Sequence, residues 1–261
     1  MTDNVSSQSA LAIVLAAGKG TRMKSELPKV LVAVNGRPMV RFVVDALQAA
    51  GVSRLVVVVG YRADLVRAEL AGVADLEFAD QTEQLGTGHA VMMCRQQLAR
   101  HRGPVVVVAG DSPMLQAESV ATLLEEFGKR DAACLIGTVN RENPTGYGRV
   151  LRDEAGDFTG IVEEKDASPA QKAIREVNVS TYVFDAQELL WALDQLRADN
   201  SQREYYITDC PAILLAAGKR VAALNVLKRC EALSINSPEE LALVEQEMKS
   251  GQRSAVSDQP E

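Results

Sequence analysis

Residues 11–31 read LAIVLAAGKGTRMKSELPKVL, and the fold follows from how this stretch divides. Residues 11–17 are an apolar run long enough for one buried strand, closed by a glycine. Gly18 and Gly20 then make a tight loop, whose lack of Cβ atoms lets backbone N–H groups close around a phosphate. Arg22, Lys24 and Lys29 follow within a few residues, so fixed donors and mobile cations converge on one place, and Pro28 fixes its own φ just before Lys29. The chemistry this suits is a triphosphate cradle; the ordinary alternative is a strand–turn–helix with solvated basic residues. Two other phosphate motifs are disfavoured. Met23 stands where a dinucleotide fingerprint needs its third glycine, and Gly-Lys-Gly-Thr is not the Gly-Lys-Ser/Thr ending of a Walker loop.

Working outward, apolar positions recur at helical spacing over residues 38–50 and stop at Gly51. Residues 55–59, LVVVV, form a buried strand of the parallel kind, 62–70 a helix and 76–79 a short strand. This βαβαβ order predicts a parallel sheet with right-handed crossovers and ligands at the carboxyl ends of its strands. The stretch 80–90, DQTEQLGTGHA, comes at that edge. There Gln81 and Gln84 offer donors and acceptors suited to a base, and Gly86 and Gly88 permit close backbone approach. A helix is expected over 89–98. Residues 104–109, PVVVVA, form another buried strand that runs into Gly110-Asp111-Ser112-Pro113. A carboxylate at such a strand end suits Mg²⁺, which takes hard oxygen ligands and few protein groups, although Asp111 also fits a helix N-cap or turn.

Helix is expected over 117–127 and strand over 132–139. From Asn140 the chain turns into charged, turn-rich, antiparallel-looking segments, NPTGYGRVL, FTGIVEEKDA and EVNVSTYVF, which read as a substrate-facing insertion within one domain. Asn178 lies inside an apolar strand and needs a partner, from protein or ligand. Helices over 186–196, 207–217 and 238–248 and a strand over 221–226 complete the pattern. Residues 1–10 and 250–261 read as polar, disordered tails around one domain over 11–249.

The chain has 261 residues, 47% of them hydrophobic, enough for the core of one large α/β domain. A net charge of −7 argues against nucleic-acid binding. Cys94, Cys134, Cys210 and Cys230 are widely spaced, with no CxxC pair, and read as reduced core cysteines of a cytoplasmic protein. Only two histidines are present, too few for a histidine-rich metal site. No signal peptide is expected ahead of Leu11, and no apolar run approaches a membrane span.

The ordered set LAAGKGTRM, PKVL, EQLGTGHA, GDSP, PTGYGR, IVEEKDA, EVN, EYYITD and IN, spread over residues 11–249, resembles one family. It is similar to the uridylyltransferase domain of bacterial N-acetylglucosamine-1-phosphate uridylyltransferase, more than to the cytidylyltransferases or the molybdopterin-type guanylyltransferases. The resemblance implies a Rossmann-like α/β nucleotidyltransferase domain, with a mostly parallel sheet, helices on both faces and an antiparallel substrate-facing insertion. It implies that Leu15, Ala16, Ala17 and Gly18 line the nucleotide, that Arg22 and Lys29 hold the phosphates and act catalytically, and that Gln81, Gly86 and Thr87 meet the uracil. It further implies that Gly110, Gly148, Glu163 and Asn178 serve the sugar phosphate and that Asp111 and Asn236 bind Mg²⁺. The family continues from the asparagine with Thr-Gly, whereas this chain has Val179-Ser180.

The implied reaction joins UTP and N-acetylglucosamine 1-phosphate into UDP-N-acetylglucosamine and pyrophosphate. The alternatives are another sugar 1-phosphate, or a catalytically silent sugar-nucleotide sensor. The hexapeptide repeats of the family's acetyltransferase half are absent, so acetyl transfer is not expected, and the protein is expected to be a monomer or weak dimer without nucleic-acid or membrane partners.

Overall fold

The computed structural model describes residues 9–20, 23 and 25–257. Strands β1 (Leu11–Ala16), β4 (Arg54–Val59), β5 (Leu76–Asp80) and β6 (Pro104–Ala109) form the parallel heart of the sheet. Between them come the short hairpin β2 (Ala33–Val34) and β3 (Arg37–Pro38), and helices α1 (Met39–Ala49), α2 (Ala63–Glu69), α3 (Thr87–Met92) and α4 (Arg95–Arg100). Helix α5 (Ala117–Arg130) leads to β7 (Cys134–Asn140), followed by β8 (Gly148–Arg152), β9 (Phe158–Val162), α6 (Pro169–Lys172) and β10 (Glu176–Asp185). Helices α7 (Ala186–Gln195) and α8 (Asp209–Ala216), strand β11 (Val221–Leu224) and helix α9 (Pro238–Ser257) finish the chain.

The sheet runs β11-β7-β10-β6-β1-β4-β5, with the β8–β9 hairpin attached through β8 to β10. β10 is antiparallel to both β6 and β7. The mostly parallel sheet, the helices and the antiparallel insertion therefore match the expected fold class. The insertion is continuous with the main sheet, because β10 supplies both the end of the insertion and a central strand. Strand alternation divides the core into two layers. Ile13, Val56, Val58, Val105 and Val107 face α3, α4, α7 and α8, whereas Ala12, Val14, Val57, Val106 and Val108 face α1, α2 and α5. Strands buried on both faces must be apolar throughout, which is why LVVVV and PVVVVA lack an alternating pattern.

Beyond shifts of a few residues at element ends, the structure departs from the sequence reading in these places. The helix expected over 89–98 divides at Met93 and Cys94, whose N–H groups bond three residues back to Ala90 and Val91 before the α pattern resumes at Leu98. That tightening keeps Val91, Cys94 and Leu98 fully buried on one side. Helix α9 runs to Ser257, through positions assigned to a tail from 250. Gly251 alone costs a helix only about 1 kcal/mol, and no proline intervenes before Pro260. At the other end, Ala10 is buried beside β1 and Ser9 is exposed; residues 1–8 of the expected tail lie outside the described residues. Among the described residues no helix is long and apolar enough to cross a membrane.

Candidate active site

The chain steps from β1 outward to β4 and β5, then returns to place β6 on the other side of β1. The crevice at the carboxyl end of β1 is thus the switch point where open α/β sheets bind ligands. Two adjoining hollows open there. One, of about 280 Å³, is lined by Leu15, Ala17, Gly18, Gln81, Gly86 and Thr87, among others. The second, of about 200 Å³, is lined by Gly148, Glu163, Asn178 and Asn236, among others. Lys29, Ala109, Asp111 and Ser180 line both, so the two hollows form one cleft with a waist.

At the waist the Lys29 ammonium pairs with the Asp111 carboxylate and donates to Asn236 Oδ1 at 2.8 Å. Asn236 Nδ2 donates to Ser234 Oγ at 3.1 Å, which leaves its oxygen turned toward Lys29. Asn236 is itself held ahead of α9, where its N–H donates to Glu240 and the Glu240 N–H donates to Ser237 Oγ. Two oxygens from distant parts of the chain therefore already share one cation. A carboxylate and an amide oxygen converging in this way fit a hard divalent ion that completes its shell with phosphate and water. The Lys29 stem reaches this place across Gly20, whose φ is +69° and where a Cβ would lie 2.6 Å from Lys29 Cβ. The loop glycine thus makes room for the passage of Lys29. Arg22, the other expected catalytic cation, lies outside the described residues.

The first hollow is walled by two loops stapled together. Gly88 N–H donates to Tyr205 O, Tyr205 N–H to Leu85 O, and Ile207 N–H to Thr87 Oγ1. EYYITD is thus the backing of LGTGHA. Gly86 sits at φ +104°, and a Cβ there would lie 2.5 Å from Tyr205 O, so only glycine fits. Gln81 is buried and Gln84 Nε2 bonds its carbonyl. Of the remaining expected residues, Ala16 packs its side chain into the core beneath the cleft, and buried Gly110 ties β6 to β1 through its N–H to Leu15 O. Neither is among the residues lining the two hollows: strand alternation turns Ala16 to the face opposite Leu15, and Gly110 has no side chain to present.

In the second hollow, Asn178 donates to Tyr182 Oη at 2.7 Å and accepts from Ser180 N–H at 3.2 Å. The partner that the sequence left open is protein. These bonds hold the β10 bulge between Asn178 and Thr181, where Ser180 takes φ +59°. Glu163 accepts from Thr208 Oγ1. Its burial, with Asp209 and Asp166 adding to it, pushes its carboxyl above the usual range against the pull of Thr208. Sequence reasoning missed the role of Arg149, which is 1% exposed. It donates to Glu164 at 2.7 Å and to the carbonyls of Lys172 and Tyr147, and Glu164 also accepts from Gly146 N–H. The arginine therefore carries the turn that lines the hollow; its place beside Gly148 in PTGYGR was the available signal.

A glycine-bearing loop after the first strand, at the switch point of a mostly parallel sheet and beside a two-lobed cleft whose waist joins Lys29, Asp111 and Asn236, is the setting of a nucleotidyltransferase domain. The chain belongs to the MobA-like NTP transferase domain family, which it matches over residues 12–178. It is 46% identical over 238 residues to the Bifunctional protein GlmU of Pelotomaculum thermopropionicum, a match covering 91% of this chain and 52% of that protein. It is 48% identical over 231 residues to the Bifunctional protein GlmU of Syntrophotalea carbinolica, covering 88% and 49% respectively. The protein of that name in Streptococcus agalactiae is 44% identical over 238 residues. The chain spans about half the length of these curated relatives.

Proposed function

We propose that this domain transfers a uridylyl group from UTP to N-acetylglucosamine 1-phosphate, releasing pyrophosphate. The observation that carries the reading is the cleft: one lobe ends at the Gln81 amide, the other at Glu163 and Asn178, and the lobes meet at Lys29 and Asp111. A nucleotide in the first and a sugar phosphate in the second would bring two phosphates together at the waist the lobes share. Likeness to the GlmU proteins supports the pairing of substrates.

In the proposed reaction an oxygen of the sugar phosphate attacks the α-phosphorus of UTP in line. The bond from that phosphorus to the α–β bridging oxygen breaks, and pyrophosphate leaves with its electron pair. The attacking oxygen is already ionised, so no general base is needed. The protein's contribution is positioning and charge. Lys29 meets charge developing at the α-phosphate, with Arg22 as the second cation of the same loop. Asp111 and Asn236 would hold the divalent ion, for which we propose Mg²⁺, and which neutralises the repulsion between the two anions. Glu163 accepts from sugar hydroxyls, and the bulge that Asn178 braces shapes the sugar lobe.

The test is pyrophosphate release with UTP and a panel of sugar 1-phosphates. N-Acetylglucosamine 1-phosphate is expected to give the highest kcat/KM. Equal or better use of glucose 1-phosphate would overturn the amino-sugar assignment and favour the alternative raised by Val179-Ser180, both of which line the second hollow. Nucleotide binding without turnover on any sugar phosphate would leave a sensor.

A further inference from the structure

The amide of Gln81 is held by two acceptors. Its Nε2 lies 3.0 Å from Gly86 O and 3.1 Å from His89 Nδ1. A backbone carbonyl only accepts, so the nitrogen, not the oxygen, must face Gly86; the reversed amide would set two oxygens against each other. An amide nitrogen only donates, so His89 Nδ1 must accept, which puts the histidine's proton on Nε2. Both Gln81 hydrogens are then spent inside the protein. Gln81 lines the nucleotide lobe, and among the described residues no group donates to its Oε1. Gln81 is 4% exposed, so its amide is held within the wall of the lobe. His89 is itself fixed on α3, with its ring 6.4 Å from that of Tyr205 on the stapled loop.

We propose that His89 is a positioning residue for base choice: by accepting from Gln81 Nε2 it locks the amide with Oε1 toward the nucleotide lobe, which selects a pyrimidine bearing N3–H and rejects one whose N3 is an acceptor. Uracil carries that hydrogen and cytosine does not. With His89's acceptor gone, Gly86 O alone holds the amide, so turning the NH₂ toward the lobe, where it would suit cytosine, costs one hydrogen bond fewer than in wild type. The inference rests on the uridylyl reading and adds to it the group that enforces the choice between two nucleotides of equal size and charge.

The experiment compares kcat/KM for UTP and CTP, with the same sugar 1-phosphate, in wild type, His89→Leu and His89→Asn. Leucine keeps bulk and removes the acceptor; asparagine can return an oxygen near the Nδ1 position. The UTP-to-CTP ratio is expected to fall roughly tenfold in His89→Leu, the equivalent of about one hydrogen bond, chiefly through a higher KM for UTP. His89→Asn should stay within about twofold of wild type. If His89→Leu does not fold, His89→Gln, which carries its oxygen to the Nε2 position instead, replaces it with the same expected fall. Equal losses with UTP and CTP, or an unchanged ratio, would overturn the role given to His89. Wild type showing no preference for UTP would instead overturn the uridylyl reading itself, and the two failures are distinguishable.

Discussion

Lys29 is where the chemistry of this cleft concentrates, because its ammonium rests on the two oxygens that suit a divalent ion. On the proposed reading Lys29 and the divalent ion would compete for these oxygens, and substrate phosphate would draw the lysine away. Lys29→Ala is expected to lower kcat/KM by roughly 10²-fold or more, the scale of other preorganised charge-stabilising groups. In the absence of substrate it should also bind Mg²⁺ more tightly than wild type, as calorimetric titration would read. Weaker binding in the variant would mean that the lysine helps hold the site rather than competing for it. Glu163 gives a prediction with a definite pH window. Burial raises its carboxyl above 4.5, so between that value and its raised folded value the folded state holds a proton that the unfolded state has lost. Stability is therefore drained as pH rises through this window. Glu163→Gln removes the drain, so the variant should be no less stable than wild type at acid pH and gain on it as pH rises from about 4.5, with poorer use of sugar phosphate throughout. Denaturant midpoints across pH check this; a gap that closes with rising pH would contradict it.

At the scale of elements, the cleft is held by loops tied to one another rather than by loops standing free. The LGTG turn leans on residues 205–207, and the 146–148 turn hangs on Arg149. A lysine at 149 offers a point charge where a fork now reaches Glu164 and two carbonyls. Arg149→Lys is expected to cost about 2 kcal/mol of stability. It should also raise KM for the sugar phosphate while leaving that for UTP near normal, because Gly148 lines only the sugar lobe. Urea unfolding and steady-state kinetics together decide; an unaltered sugar-phosphate KM would remove Arg149 from the support of the site. The elements themselves were largely legible. The apolar runs 11–17, 55–59 and 104–109 fell on β1, β4 and β6 to within a residue or two, because strands buried on both faces leave no other reading. The break in 89–98 was not legible, since no glycine or proline marks it and its cause is how three residues seat against the core.

For the whole molecule, the nine-stranded sheet passes without interruption from the nucleotide side through β10 to the insertion. The insertion cannot leave without removing a strand from the centre of the sheet. Unfolding in urea is therefore expected to be one transition, coincident by far-UV circular dichroism and by the fluorescence of Trp191 on α7. Separate transitions would show that the insertion folds as its own unit. By itself, the sequence determined the local and the repetitive: which runs must be buried, where glycines let the backbone turn tightly, and which ordered motifs tie the chain to a nucleotidyltransferase family. These are properties of neighbouring residues and of their spacing. Only the tertiary structure decided that Lys29 sits between Asp111 and Asn236, that Asn178 bonds Tyr182 and its own bulge, and that His89 and Gly86 fix the face Gln81 presents. The physical reason is that a polar side chain has several possible partners of equal chemistry, and the choice among them belongs to whichever group the packed sheet brings within hydrogen-bond reach.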